Sequence, residues 1–371
     1  MDLLPWVLGA TLALIAPIAF VMPRLTPKAV QYGVRVPPSR AGHPVFAELE
    51  GSYRFGVALS TLIAAAALAL TLLGWGEICS ILSIPAFLVG ALVTYLGVRG
   101  RLLRVKSSER WASEGTLVAV AGIGGSAEIP AIWPWLLPSF VLWVAFLAWG
   151  IHLYPGLPSM LPTHFNAAGQ ADTWSPKDPA TVFFGSILGG FLLALFTGIV
   201  WAIARTRAPL DPLAPRADSL RQAVFRTRMG QSLLVLAAFL QVSLGVADLL
   251  TWEVLPPSGP TLFLLLVPVL AGVGVIAAVS YRTGQLGSRV EVRLHGPETP
   301  ASPGATGRAR DDDRLWVGGV LYYNPDDSSV LVPKRFGVGW TLNIASPWSW
   351  LIFAVLIALP IAPLLIHVVS R

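Results

Sequence analysis

Long apolar runs separated by shorter polar connections dominate this chain. Crossing a bilayer as a helix takes about 20 residues. Runs of that length occupy Leu3–Met22, Val57–Trp75, Ile78–Val98, Trp133–Leu153, Ala180–Ala204, Met229–Leu250, Thr261–Ser280 and Trp350–Val369. The pattern predicts an all-α polytopic membrane protein with about eight transmembrane helices. The Gly76-Glu77 link between the second and third runs is too short for anything but a helical hairpin, and Thr251–Pro260 joins the sixth and seventh runs in a short turn.

Two polar stretches interrupt this pattern. Residues 154–178 connect the fourth and fifth runs. The longer stretch follows the seventh run, and its first part, Gly296–Arg310, is rich in Pro, Gly, Ala, Ser and Thr and reads as a flexible linker. Beyond it, Arg314–Tyr323 is aromatic and β-branched, Asn324-Pro325-Asp326-Asp327 signals a turn, and Ser328–Val332 suits a second strand. The expected organisation is a membrane bundle over 1–295, the linker over 296–310, a small β-hairpin module over 311–348 and a last spanning helix over 349–371.

Composition agrees: 54% of residues are hydrophobic, 12% are charged and the mean hydropathy is +0.67, against about 25% charged residues in soluble domains. The net charge of +6 does not point to nucleic acid, because the basic residues are segregated. Alternate connections carry 24 Lys and Arg, while the other side keeps only Lys177 and Arg371. By the positive-inside rule this makes a multi-pass cell-membrane protein with both termini extracytoplasmic and the β-hairpin module cytoplasmic. The N-terminus lacks a basic region and is expected to be a retained helix. Cys79 is the single cysteine, which excludes an intrachain disulfide and zinc or redox motifs built on cysteine pairs. Trp6, Trp75, Trp133, Trp135, Trp252, Trp348 and Trp350 lie near run ends, where indole rings anchor at headgroup level. A weak internal repeat relates Tyr53-Arg54 before the second run to Phe225-Arg226 before the sixth.

Candidate chemistry gathers in the outer 154–178 loop. His164 and Asn166 would share a strand face, Gly169 permits a reversal returning Asp172 toward His164, and Lys177 stands at the entry to the fifth helix. These residues, with Trp174, form a candidate ligand pocket, or else an ordered loop whose polar groups satisfy one another. An Asp–His pair suits general-base work, but no activated nucleophile accompanies it, so an enzyme is not the expectation and no cofactor is implied. His152, His164, Asp248 and His367 fall near the outer surface and are candidate metal ligands, without a known zinc spacing. The helix interiors hold few ionisable groups, which argues against an ion-coupled pump.

The segment from Leu157-Pro158 to Lys177 resembles the signature of a bacterial membrane family, the immunity proteins of the sporulation-delaying-protein type (SdpI-like). The resemblance rests on Pro162-Thr163-His164-Phe165-Asn166, Gly169, Asp172, Trp174 and Lys177. The stretch Trp316–Trp350 is similar to a second bacterial module, through Trp316, Tyr322-Tyr323-Asn324-Pro325, Asp327, Val332-Pro333-Lys334-Arg335, Gly339-Trp340-Thr341 and Asn343. The first resemblance implies immunity to a secreted peptide, with the same protein sensing it and holding a transcriptional repressor at the membrane. The expected partners are therefore the lipid bilayer, a secreted peptide or lipid-associated ligand outside, and a cytoplasmic repressor. Lys334, Arg335, Phe336 and Trp340 would form a surface for the inner leaflet or that repressor. The alternative is a transporter or lipid-handling enzyme using the His164/Asp172 cluster.

Overall fold

A computed structural model describes residues 4–74, 77–111, 117–119, 132–166, 170–206, 210–211, 213–294, 296–297, 306–308 and 313–354. The chain is mostly helical. Its helices are α1 (Leu4–Val21), α2 (Val45–Leu72), α3 (Glu77–Ser108), α4 (Leu137–Leu153), the single turn α5 (Pro179–Val182), α6 (Phe184–Arg205), α7 (Pro215–Thr251) and α8 (Gly259–Thr283). Among the described residues, seven helices are long and apolar enough to cross a membrane. The eighth expected span begins as helix over 347–354, and its remainder, with His367, lies outside the described residues.

The strands form separate two-stranded sheets, all antiparallel: β1 (Val30–Gln31) with β2 (Val34–Arg35), β3 (Leu117–Ala119) with β6 (Thr306–Arg308), β4 (Met160–Phe165) with β5 (Ala171–Pro176), β7 (Trp316–Val317) with β8 (Leu321–Tyr322), and β9 (Leu331–Pro333) with β10 (Trp340–Leu342).

The helices pack as two groups, α1–α3 and α4 with α6–α8, which meet along α1 and α8. At the centre of the second group stands α7, half of whose apolar window is buried against 11–22% for the other spans. Its approach to α6 depends on small residues. A Cβ on Gly185 would collide with the Asp248 carboxylate, and one on Gly189 would come within 2.5 Å of the Gln241 amide oxygen. Glycine four residues apart lets two spanning helices close on one another. Asp248 then accepts hydrogen bonds from the Gly185 N–H (3.0 Å) and the Ser186 hydroxyl (3.0 Å), and Gln241 donates to the Gly189 carbonyl (2.8 Å). In effect Asp248 caps the N-terminus of a neighbouring helix, where unpaired N–H groups and the helix dipole favour a carboxylate.

Several helices outrun their apolar stretches. The second begins at Val45, the third continues to Ser108, and the sixth spanning helix begins at Pro215. Hydrophobicity marks only the part of a helix in hydrocarbon, and these extensions project from the basic end with polar residues toward solvent. Tyr53 and Phe225 are both buried on these extensions. Arg54 lies over the Phe20 ring near the end of α1 (5.2 Å), and Arg226 reaches the Thr206 carbonyl at the end of α6 (3.4 Å).

The C-terminal module is not the single hairpin expected from 314–332. It consists of two small hairpins, and Asn324–Asp327 is a turn between them, fastened by the fully buried Asn343. The Asn343 amide donates to the carbonyls of Asn324 and Asp327 (both 2.9 Å). Nor does the module offer the expected surface. Arg335 is buried and pairs with Asp313 (2.6 Å), which also pairs with Lys106 of α3 (2.6 Å) and accepts from the Arg35 N–H (3.3 Å). Burial and nearby Arg335 pull the Arg35 guanidinium down to about 10 against the opposing pull of Asp313, leaving it charged at neutral pH. Phe336 packs against Tyr32, Tyr53 and Tyr95, and Trp340 against Phe225 (5.0 Å), with its indole N–H on Thr206 (3.2 Å). Of the four residues expected to meet a partner, Lys334 alone is exposed. The module thus clasps the basic ends of both helical groups.

Two connections receive it. Tyr32 and Gly33 form a two-residue turn with φ of +47° and +73°, the hairpin turn in which glycine is favoured. A Cβ on Gly33 would come within 2.8 Å of the Gly319 carbonyl. After α8, the fully buried Gln285 donates to the carbonyls of Lys334 and Gly339 (both 2.9 Å) and accepts from the Gly339 N–H (2.7 Å). Most of the linker 296–310 lies outside the described residues.

Candidate functional site

At the end of the bundle opposite the clasp, β4 and β5 form the hairpin foreseen around His164. Pro162 pairs with Trp174, but the register shifts on both sides of His164. Such a bulge re-aims a side chain, and here the His164 ring reaches back to Asp172, with Nδ1 2.6 Å from Oδ1. Both side chains are exposed, His164 by 66% and Asp172 by 41%. The bond from His164 holds the Asp172 carboxyl below its ordinary value. An ionised Asp172 accepts the hydrogen of Nδ1, which leaves Nε2 as the ring nitrogen that Asp172 does not engage.

The remaining loop candidates divide. Asn166 lies beyond the strand and closes the turn: its N–H donates to the Gln170 carbonyl (2.9 Å), and its side-chain oxygen accepts from the Gln170 N–H (3.0 Å). Lys177 fastens the turn that follows α4, donating to the carbonyls of Leu157 (3.0 Å) and Pro155 (3.3 Å) and lying over the Tyr154 ring. These two hold the hairpin rather than present it. Asp178 caps α5 by accepting from the Thr181 N–H (2.7 Å). Leu161 packs in a cluster with Val182, Leu249 and Trp252. Trp252 is buried, with its indole N–H on the Val182 carbonyl (2.8 Å), and is therefore a packing residue instead of a headgroup anchor.

Trp174 is exposed and lines a cavity of about 280 Å³ between the hairpin and the α7–α8 connection, together with Pro162, Phe165, Glu253, Pro256 and Pro257. Glu253 follows the last residues of α7 with φ +57°. The Val254 N–H reaches back to the Leu249 carbonyl (3.0 Å) and the Glu253 N–H to Leu250 (3.1 Å), the helix stop in which glycine is usual. A left-handed non-glycine residue costs roughly 1–2 kcal/mol. Reading along the chain could not assign Glu253 to this cavity, because the two sides come from segments about 80 residues apart in sequence that only tertiary packing joins.

The metal candidates do not converge. Among the described residues no three His, Cys, Asp or Glu side chains come together. Asp248 is spent on the start of α6, His152 is exposed on α4, and His367 lies outside the described residues.

Two family models match this chain. One, described as a domain of unknown function (DUF1648), matches residues 141–189, from α4 through the hairpin to the first turns of α6. The other, a family of unknown function (DUF5808), matches residues 325–350, which include Arg335, Phe336, Trp340 and Asn343 of the clasp. No curated protein and no solved structure matches. The first matched segment ends at Gly189, yet the groups that fix it in place, Asp248, Gln241 and Trp252, all come from α7 or just beyond it. The second contains the residues that lock onto α2, α3 and α7.

Proposed function

We propose that this protein is a membrane sensor of the immunity type, resembling the SdpI-like proteins. In this reading the β4–β5 hairpin lies on the extracytoplasmic side and meets a secreted peptide or a lipid-associated ligand. The observation that carries the reading is the exposed His164–Asp172 pair on a hairpin otherwise fastened to the bundle, with Trp174 beside an open cavity. Rigid support of a few exposed polar and aromatic groups is how a recognition site gains affinity without an ordering cost. The Glu253 carboxylate at the cavity favours a ligand that carries a basic group next to apolar side chains. A cytoplasmic repressor would have to read the solvent side of the clasp, around Lys334 and Tyr323, since Arg335, Phe336 and Trp340 face inward. Transport is less well supported: Asp248 and Gln241, the polar groups a pathway would use, are both bonded to α6.

The test is site-specific photo-crosslinking in the native membrane. A photoreactive residue at Trp174 should capture a peptide or lipid adduct that is lost in the His164→Ala background. The same probe at Leu213, exposed near the basic end, should not capture it. Equal capture at both positions, or none at Trp174, overturns the reading. Orientation is checked separately at the half-buried Cys79, which a membrane-impermeant maleimide should label in intact cells. Labelling only after lysis would reverse the assignment.

A further inference from the structure

A second concave surface lies away from the hairpin, on the membrane face between α4 and α6. It is a trough of about 630 Å³, walled by Leu136 and Trp143 on one side and floored by Ala194, Thr197, Gly198 and Trp201 of α6. Its surface is apolar even where its residues are not. The Thr197 hydroxyl donates to the Leu193 carbonyl of its own helix (2.7 Å), and the Trp143 indole N–H donates to the Ser186 carbonyl (2.8 Å). At about 1.5 Å per residue, Gly190 to Trp201 spans roughly 16 Å, which is half of a hydrocarbon core about 30 Å thick. The trough's length is therefore about that of one leaflet, and its Trp201 end lies nearest the basic end of α6.

Two features say what it holds. The first is Gly198. Unlike Gly185 and Gly189, it has no neighbour to accommodate: a Cβ built there meets nothing within 4 Å. Glycine inside a helix costs about 1 kcal/mol relative to alanine, and packing among the described residues does not require it. What its missing side chain leaves open is the trough. The second is Arg205, the last residue of α6. Its guanidinium stacks 3.6 Å above the ring of the exposed Trp201. Among the described residues it forms no ion pair with a carboxylate. A stacked, positioned guanidinium at headgroup depth presents its N–H donors to a phosphate.

We infer that this trough is a binding site for an anionic phospholipid of the leaflet at the basic end. One acyl chain lies along Ala194–Trp201, and the phosphate meets Arg205. The site is independent of the hairpin and of the ligand proposed for it.

The probe is phosphatidylglycerol, compared with phosphatidylcholine of the same chains, added to the delipidated full-length protein and read by native mass spectrometry. The intact chain should retain phosphatidylglycerol preferentially. Arg205→Gln should lower that retention about fivefold, the equivalent of about 1 kcal/mol for one basic residue near an anionic lipid, while Arg104→Gln, at the same end but on α3, should not. Gly198→Leu places a side chain in the trough, its Cβ meeting nothing within 4 Å, and should reduce retention of both lipids while leaving the melting temperature of the lipid-free protein unchanged or raised. Equal retention of the two lipids, or retention unaffected by Gly198→Leu, overturns the proposal. So does a Gly198→Leu protein that melts lower without lipid or changes its oligomeric mass, because the trough would then seat a helix, either residues 355–369 of this chain or a second copy.

Discussion

Two side-chain pairs of the same length, each with one carboxylate, sit at opposite ends of this bundle. His164 and Asp172 are 2.6 Å apart with side chains 66% and 41% exposed, while Arg335 and Asp313 are 2.6 Å apart at 6% and 18%. Distance alone does not separate their roles; solvent does. In water the attraction between the outer pair is screened and its net contribution is small. The pair is available to a third party because little around it depends on it. At the clasp, Asp313 offsets the buried Arg335 and also engages Lys106 and the Arg35 backbone. Removing one member there leaves charge stranded away from water. One pair can be used for recognition, and the other is committed to fastening the C-terminal module across both helical groups.

The largest expected effect tests the fastening side. Asp313→Ala should destabilise the protein by about 3–5 kcal/mol, because Arg335 then stays buried without its Asp313 carboxylate; thermal unfolding in micelles measures it, and an unchanged midpoint would erase the contrast between the two ends. Phe336→Ala should cost about 3 kcal/mol by emptying the space among Tyr32, Tyr53 and Tyr95, with the same readout and increased proteolysis of the module. At the outer end the sign reverses for one residue. Glu253→Gly relieves a left-handed backbone and should raise stability by about 1 kcal/mol while weakening ligand capture at Trp174; a loss of stability would show that Glu253 serves the fold.

The smallest effect is at the exposed pair. His164→Ala should leave the unfolding midpoint unchanged while abolishing capture. The same pair sets a pH expectation. Because the folded Asp172 value is depressed, the pairing stabilises above the unfolded carboxyl value and is lost only as pH falls through the lower, folded one. Carboxyl-carbon NMR should therefore show Asp172 titrating below the ordinary aspartate value. Titration at or above the ordinary aspartate value of about 3.9 would mean that the pair does not form.

Much of this was legible along the chain. The apolar runs located seven spanning helices, since crossing hydrocarbon demands length and composition that a sequence displays directly. The approach of Asp172 to His164 was also foreseeable, because both residues belong to one short hairpin. Errors arose where a residue's surroundings come from elsewhere. Lys334-Arg335-Phe336 reads locally as a basic, aromatic surface patch. Arg335 and Phe336 instead pack against Asp313, Tyr32 and Tyr95, and Tyr32 is about 300 residues distant in sequence, so no local pattern announced it. Asn166 and Lys177 matched a signature yet proved to fasten turns.

By itself, then, the sequence determined that this chain is a helical membrane protein, where most of its spans lie and that one polar hairpin interrupts them, because these follow from the cost of placing polar groups in hydrocarbon. Only the tertiary structure decided which polar and charged side chains are exposed. Asp248 could have been a metal ligand and instead caps α6. Glu253 could have been any loop carboxylate and instead lines the cavity beside Trp174. The reason is that burial belongs to neighbours brought in from distant segments, and the same carboxylate fastens or recognises according to what surrounds it.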